Sequence, residues 1–230
     1  MWQQLFSLDF RRRRLLRKVS PGALRDYLAT PFPGRAADYQ TVRFVALDLE
    51  TTGLDARRDE ILSIGLVEFQ AGRIDLATAA HYLVSPSRSI PESSAVIHHI
   101  TDDAAARGRP LAQVLPTVLG RLSGSVLLGH HVRIEREFLD SACRRQYGIP
   151  FLIPIADTEA LIRRWLEQRN QPFTGRELRL HALRARYGLP RYKAHNALTD
   201  ALAAAELFCA FVAKRDFGGK APLRLFLERQ

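Results

Sequence analysis

The run Val42-Arg43-Phe44-Val45-Ala46-Leu47-Asp48-Leu49-Glu50-Thr51-Thr52-Gly53 constrains this chain more than any other segment. Its mostly apolar, partly β-branched residues predict a buried strand. Two carboxylates, one residue apart, close that strand. Side chains alternate along a strand, so Asp48 and Glu50 share one face. Two acids side by side at a buried strand end repel each other. Such a pair persists when a cation sits between them, and a divalent metal meets that need. Arginines that satisfy the pair are the alternative. The strand breaks at Thr51-Thr52-Gly53, which sets the acids at a sheet edge beside a turn, within reach of ligands.

Further strand-like runs follow at about 60–69 and 79–85, separated by short polar loops, as in an antiparallel meander. The pattern then alternates. Residues 111–122 have helical spacing, and 125–129 form a short buried strand. A helix over 132–147 ends at Gly148, and 151–156 form another short strand. Helices fit 157–169, 177–187 and 197–213. The fold class is therefore α/β, with a mixed five-stranded sheet flanked by helices. The organisation expected is a basic N-terminal extension over 1–40, one domain over 41–215 and a C-terminal tail over 216–230.

The formal net charge is +10, and residues 1–40 hold eight Arg and Lys against three Asp, half of that excess. A basic balance points to a polyanionic partner. Arg11 to Arg14 read equally well as a solvated tail or as a docking segment for nucleic acid or a protein. Gln4-Leu5-Phe6-Ser7-Leu8 has only a faint likeness to a sliding-clamp peptide, with the spacing off. No apolar run reaches membrane-spanning length, and no secretory signal pattern opens the chain. Cys143 and Cys209 fall in helical patterns and read as reduced, buried thiols. The expectation is a cytoplasmic protein without a membrane partner.

Three places carry chemistry. The first is Asp48 with Glu50. The second is Gly129 to Leu139, where a buried strand ends and a helix begins with Glu135 among its early residues. The third is His195 to Asp200. His195 precedes a helix, and Asp200 lies in its first turn. Were both helical, about 500° of rotation would separate them. A loop His195 with a helical Asp200 lets both converge. Four carboxylates and one histidine suit a two-metal phosphodiesterase. Hard divalent ions take oxygen ligands, and four ionised acids roughly neutralise two Mg²⁺ ions. Histidine is the side chain suited to taking a proton from water near neutral pH.

These motifs identify a resemblance. Asp48 to Leu54 resembles the first exonuclease motif, and Ile97-His98-His99-Ile100-Thr101 the segment after the third strand. Gly129 to Leu139 resembles the second motif. His195 to Asp200 is similar to the H-x4-D motif of the DEDDh branch of the DEDD superfamily of 3′→5′ exonucleases, the branch of the proofreading epsilon subunit of bacterial DNA polymerase III. The resemblance spans about 42–213 and implies a ribonuclease H-like sheet in an exonuclease domain. It also implies roles. Asp48, Glu50 and Asp200 would hold one Mg²⁺ or Mn²⁺ ion. Asp48 would share a second ion with Glu135, often through water. His195 would be the general base, and Thr51, Thr52, Gly53 and Leu54 would lie against the terminal nucleotide. The substrate implied is the 3′ end of single-stranded DNA or RNA, with DNA favoured. A polymerase or other protein partner could be met through the N-terminal extension. An exoribonuclease like RNase T or oligoribonuclease, and a non-catalytic binding module that kept the fold, are the rivals.

The chain departs from the family pattern at two positions. Glu135 stands where the family has Asp, and His131 where it has Asn. Glutamate is one methylene longer and reaches a metal or its water if the helix sits slightly back. Glu137 lies about 200° further round the helix and fits worse. Asp157 reads as a helix N-cap and not as a ligand. His98, His99 and His130 read as packing or hydrogen-bonding residues.

Overall fold

The computed structural model describes residues 7–215 and 220–228. Gln4 to Phe6 of the clamp-like peptide therefore lie outside the described residues. The chain begins with helices α1 (Leu8–Leu16) and α2 (Ala23–Ala29). Three antiparallel strands follow: β1 (Phe44–Thr51), β2 (Ile61–Gln70) and β3 (Arg73–Ser85). Next come the short helices α3 (Glu92–His98) and α4 (Asp102–Ala105), the two-residue strand β4 (Arg109–Pro110) and helix α5 (Leu111–Leu122). Strand β5 (Val126–Gly129), helix α6 (Arg133–Tyr147), strand β6 (Ile155–Asp157) and helices α7 (Thr158–Gln168), α8 (Leu180–Arg186) and α9 (Ala197–Ala213) complete the alternation.

The sheet order is β4-β3-β2-β1-β5-β6. It is mixed: β5 runs parallel to β1, and β6 parallel to β5. The sheet thus has six strands against the five expected from the sequence. The additional one, β4, is two exposed residues paired with the end of β3. It has no apolar run from which periodicity could register a strand.

β1 lies in the middle because both of its faces are apolar. Val45, Leu47 and Leu49 pack with α2, α5 and α6 on one side. Phe44 and Ala46 pack with α7 and α9 on the other. There Phe44 stacks on Phe69 at 4.9 Å, and both meet Phe208 of α9. Burying a side chain of this kind contributes roughly 1.5–3 kcal/mol, so these two layers fix β1 and what stands at its end.

Segments near both ends of the described residues take part in this packing. Leu24, Tyr27 and Leu28 of α2 are buried in the first core, and the Tyr27 hydroxyl donates to the Leu152 carbonyl at 2.6 Å. Of the arginine run, Arg11, Arg13 and Arg14 are exposed. Arg12 is buried, pairs with Asp9 at 2.7 Å and donates to the Leu28 carbonyl. At the other end, Leu223 and Phe226 are buried in the second core, and the Glu228 N–H donates to the Ile155 carbonyl at 2.9 Å. Cys143 and Cys209 are free thiols, the first buried and the second half-buried.

Candidate active site

Strand β1 delivers Asp48 and Glu50 to one face at its C-terminal end, as alternation requires. Asp48 stands opposite Gly65 of β2. A Cβ on Gly65 would lie 2.1 Å from the carbonyl carbon of Ala197 and from the nitrogen of Leu198. Only a glycine lets the first turn of α9 rest on the sheet at this point, and that turn carries Asp200. Asn196 caps α9 by accepting from the Thr199 N–H at 3.1 Å.

His195 sits just before this cap with φ of 64°. That left-handed backbone turns its N–H onto Asp200 Oδ2, at 2.7 Å. The loop histidine and the helical aspartate therefore meet as the spacing suggested. One ligand oxygen each from Asp48, Glu50 and Asp200 lies within 4.8 Å of the others.

Glu135 lies in the first turn of α6. It is 5% exposed, and its Oε2 has no hydrogen-bond partner among the described residues. It lines the same cleft but is not one of the tight three-acid group.

The electrostatics follow from crowding and burial. Burial, and then the charges of Glu135, Asp200 and Glu50, hold the Asp48 carboxyl well above the usual carboxylate range. Glu50 is pushed up to about 7, by burial and then by Asp200. Glu135 is pushed up to about 8, by burial and then by Asp157 and Glu50. Burial also raises Asp200, against which the backbone N–H groups of His195 and Asn196 and the charges of His195 and Arg184 act. Among the described residues, no arginine offsets the upward push on Asp48 or Glu50. The acid cluster thus offers hard oxygen donors, crowded carboxyls whose ionisation a cation would favour, and a buried unpartnered carboxylate oxygen. Those properties fit a divalent cation.

The acids open into a cleft of about 840 Å³. His195, Thr51, Gly53 and Leu54 line it, and Leu54 is 73% exposed at its rim. Thr52 does not line the cleft. It holds the turn instead: its N–H donates to the Glu60 carbonyl, its hydroxyl accepts from the Glu60 N–H, and its carbonyl accepts from Ser94 Oγ.

Asp157 caps α7, accepting from the N–H groups of Glu159 at 2.8 Å and Ala160 at 3.3 Å. It also accepts from the N–H groups of His131 at 3.0 Å and Val132 at 2.9 Å. One carboxylate therefore ties the start of α7 to the start of α6, the helix of Glu135. Two neighbouring histidines each use Nδ1 in a hydrogen bond, while their Nε2 atoms are buried without a partner among the described residues. His130 Nδ1 meets Thr158 Oγ1 at 2.8 Å, and His98 Nδ1 accepts from the Ile100 N–H at 3.0 Å.

Sequence reasoning missed Gly65, Arg179, Arg184, Arg191 and Tyr192; the last four also line the cleft. The arginines carried no local signal among so many. A glycine inside the apolar run 61–69 was the one available hint, because such a glycine marks close approach of another backbone.

A ribonuclease H-like sheet, with acids at the end of its first strand and a histidine beside the last of them, defines the class of the DEDDh exonucleases. Comparison with known proteins agrees. The exonuclease family model matches residues 45–208. The DNA polymerase III subunit epsilon of Treponema pallidum is 34% identical over 181 residues, covering 77% of this chain and 80% of that protein. The PolC-type DNA polymerase III of Thermotoga petrophila is 34% identical over 176 residues, covering 76% of this chain but 12% of the polymerase. In fold, the nuclease domain of 3'hExo, a DEDDh family member, superposes with a TM-score of 0.67 at 16% identity, covering 84% of this chain and 100% of that one. The ExoI–ssDNA complex of E. coli, in its zinc-bound form, gives 0.67 at 16% identity over 77% of this chain and 42% of that one. The chain belongs to the exonuclease family, whose class is that of 3′→5′ phosphodiester hydrolases. Among the described residues, no helix is long and apolar enough to cross a membrane.

Proposed function

We propose that this chain is a Mg²⁺- or Mn²⁺-dependent 3′→5′ exonuclease that releases nucleoside monophosphates from the 3′ end of single-stranded nucleic acid, with DNA favoured. The observation that carries the reading is the convergence of Asp48, Glu50 and Asp200 within 4.8 Å, with Glu135 buried alongside and His195 bonded to Asp200 through its backbone. Asp48, Glu50 and Asp200 would hold one ion, and Asp48 with Glu135 the second. Such ions supply an activated water and neutralise charge on the leaving oxygen in an in-line displacement.

The protein's own groups do the rest. His195, exposed beside the half-buried Asp200, takes the proton of the attacking water as general base. Leu54 and Ile97, both exposed, offer apolar contact to the terminal base. Arg179 and Arg191 give the cleft a positive flank for a polyanion. DNA is favoured because the relatives that match over most of this chain are, by name, a DNA polymerase and a DNA polymerase subunit. A polymerase partner in the cytoplasm belongs to the same proposal, with the exposed Arg11 and Arg14 of α1 as its contact surface.

The test is a panel of matched single-stranded DNA, duplex DNA, RNA and dinucleotides, each with Mg²⁺ or Mn²⁺. The fastest turnover is expected on single-stranded DNA. Faster turnover on RNA would move the assignment to an exoribonuclease. Binding without turnover in saturating Mn²⁺ would make the chain a binding module.

A further inference from the structure

We infer that Arg184 is a positioning residue for this reaction, fastening the loop that carries His195 to the helix that carries Asp200. The inference rests on the exonuclease reading and adds to it how the histidine is held.

Arg184 belongs to α8 and is 3% exposed. Its Nη1 donates to the Ala203 carbonyl at 2.8 Å, one turn beyond Asp200 on α9. Its Nη2 donates to the Pro190 carbonyl at 2.8 Å and lies 2.8 Å from Glu206 Oε2 in an ion pair. Its guanidinium carbon is 4.3 Å from the centroid of the Tyr192 ring, and the Tyr192 hydroxyl donates to Glu206 Oε1 at 2.8 Å. Pro190 and Tyr192 lie in the segment between α8 and α9, which also carries His195. Ala203 and Glu206 lie on α9. One guanidinium therefore grips both sides of the junction.

Three considerations make this a device for the site and not ordinary packing. An arginine buried in a helix costs desolvation that an apolar residue of like volume would avoid. The segment 189–195 forms no helix or strand of its own; Arg184 holds its Pro190 carbonyl, and Tyr192 is held between Arg184 and Glu206. Both terminal nitrogens of the guanidinium are engaged within the protein and its Nε is buried, so Arg184 is placed to act through the loop rather than by contact with the substrate. Lysine would not replace it, because the grip uses the planar fork and the ring stack.

The test measures kcat and KM on a single-stranded DNA oligonucleotide for the full chain and for Arg184→Met, Arg184→Lys, His195→Ala and the Arg184→Met/His195→Ala pair. Arg184→Met is expected to lower kcat about 30- to 100-fold, because a small misplacement of a catalytic group has effects of that size. KM is expected to stay within about threefold, and Arg184→Lys to recover little of the loss. In the His195→Ala background the same substitution should cost less than about threefold, because residues acting as a unit are not additive.

An equal loss in both backgrounds, or a rise in KM with kcat intact, would overturn the inference. Should Arg184→Met fail to fold, as read by thermal unfolding, Tyr192→Phe carries the test. It removes one hydroxyl and should lower kcat about fivefold with His195 present and leave it unchanged without; no loss with His195 present would overturn the inference. A wild-type chain without nuclease activity overturns the exonuclease reading and this inference together. An active wild-type chain with insensitive variants overturns this inference alone.

Discussion

Gly65 of β2 and Ala197 of α9 meet backbone to backbone: a Cβ on Gly65 would stand 2.1 Å from the Ala197 carbonyl carbon. Gly65 is also the register partner of Asp48. The distance from sheet to helix at this point therefore sets the distance from Asp48 to Asp200. Gly65→Ala must push α9 outward. Overpacking of this kind costs about 1–3 kcal/mol, and displacement of Asp200 should cut activity by about 100-fold. Thermal unfolding and oligonucleotide turnover check the two effects together.

Glu135 is buried with one carboxylate oxygen unpartnered and its carboxyl pushed up to about 8. Glu135→Gln keeps the shape and removes the charge. Turnover is expected to fall about 10- to 100-fold, as for groups that support a metal or its water. The metal-free variant should at the same time melt higher than wild type at alkaline pH. A variant with full activity would remove Glu135 from the metal cage.

The pH dependence of the metal-free protein follows from the same carboxyls. Glu50 at about 7 and Glu135 at about 8 lie above their ordinary value of 4.5. Between 4.5 and those values the native state holds protons that the unfolded chain has released. The stability these groups contribute at low pH is therefore lost as pH rises through about 7 to 8. In a chelator, the melting temperature of wild type relative to Glu135→Gln should fall by several degrees from about pH 5 to about pH 9. Saturating Mg²⁺ should flatten that difference, because the ion competes with the protons.

Asp157 accepts four backbone N–H bonds that join the starts of α6 and α7. Asp157→Ala should destabilise the fold by about 2–4 kcal/mol, more than loss of a cap alone, because the donors at His131 and Val132 are orphaned with it. Chemical denaturation measures this. A loss under about 1 kcal/mol would mean that water replaces the carboxylate.

Much of this site was legible in the sequence. Asp48 and Glu50 stand on one face because a strand alternates. His195 and Asp200 converge because one is in a loop and the other in a first helical turn. Helices 111–122 and 197–213 appear at the residues their periodicity indicates. What was not legible depends on contacts across the chain. The basic segment looked like an appendage from its charge, yet Tyr27 completes the first core through a bond to Leu152, far along the sequence. Phe226 does the same for the second core. Thr52 belongs to the family motif but points its bonds into the turn. Arg184 was one arginine among many until Pro190, Tyr192 and Ala203 closed around it.

The most direct test of the acid cluster as a catalytic metal cage is turnover of a 5′-labelled single-stranded DNA by wild type and by the Asp48→Asn/Asp200→Asn double variant, each with Mn²⁺ and with a chelator. A ladder shortening one nucleotide at a time from the 3′ end is expected for wild type with Mn²⁺ alone, and intact substrate in the other three reactions. An unchanged ladder from the double variant, or from wild type in chelator, would contradict it.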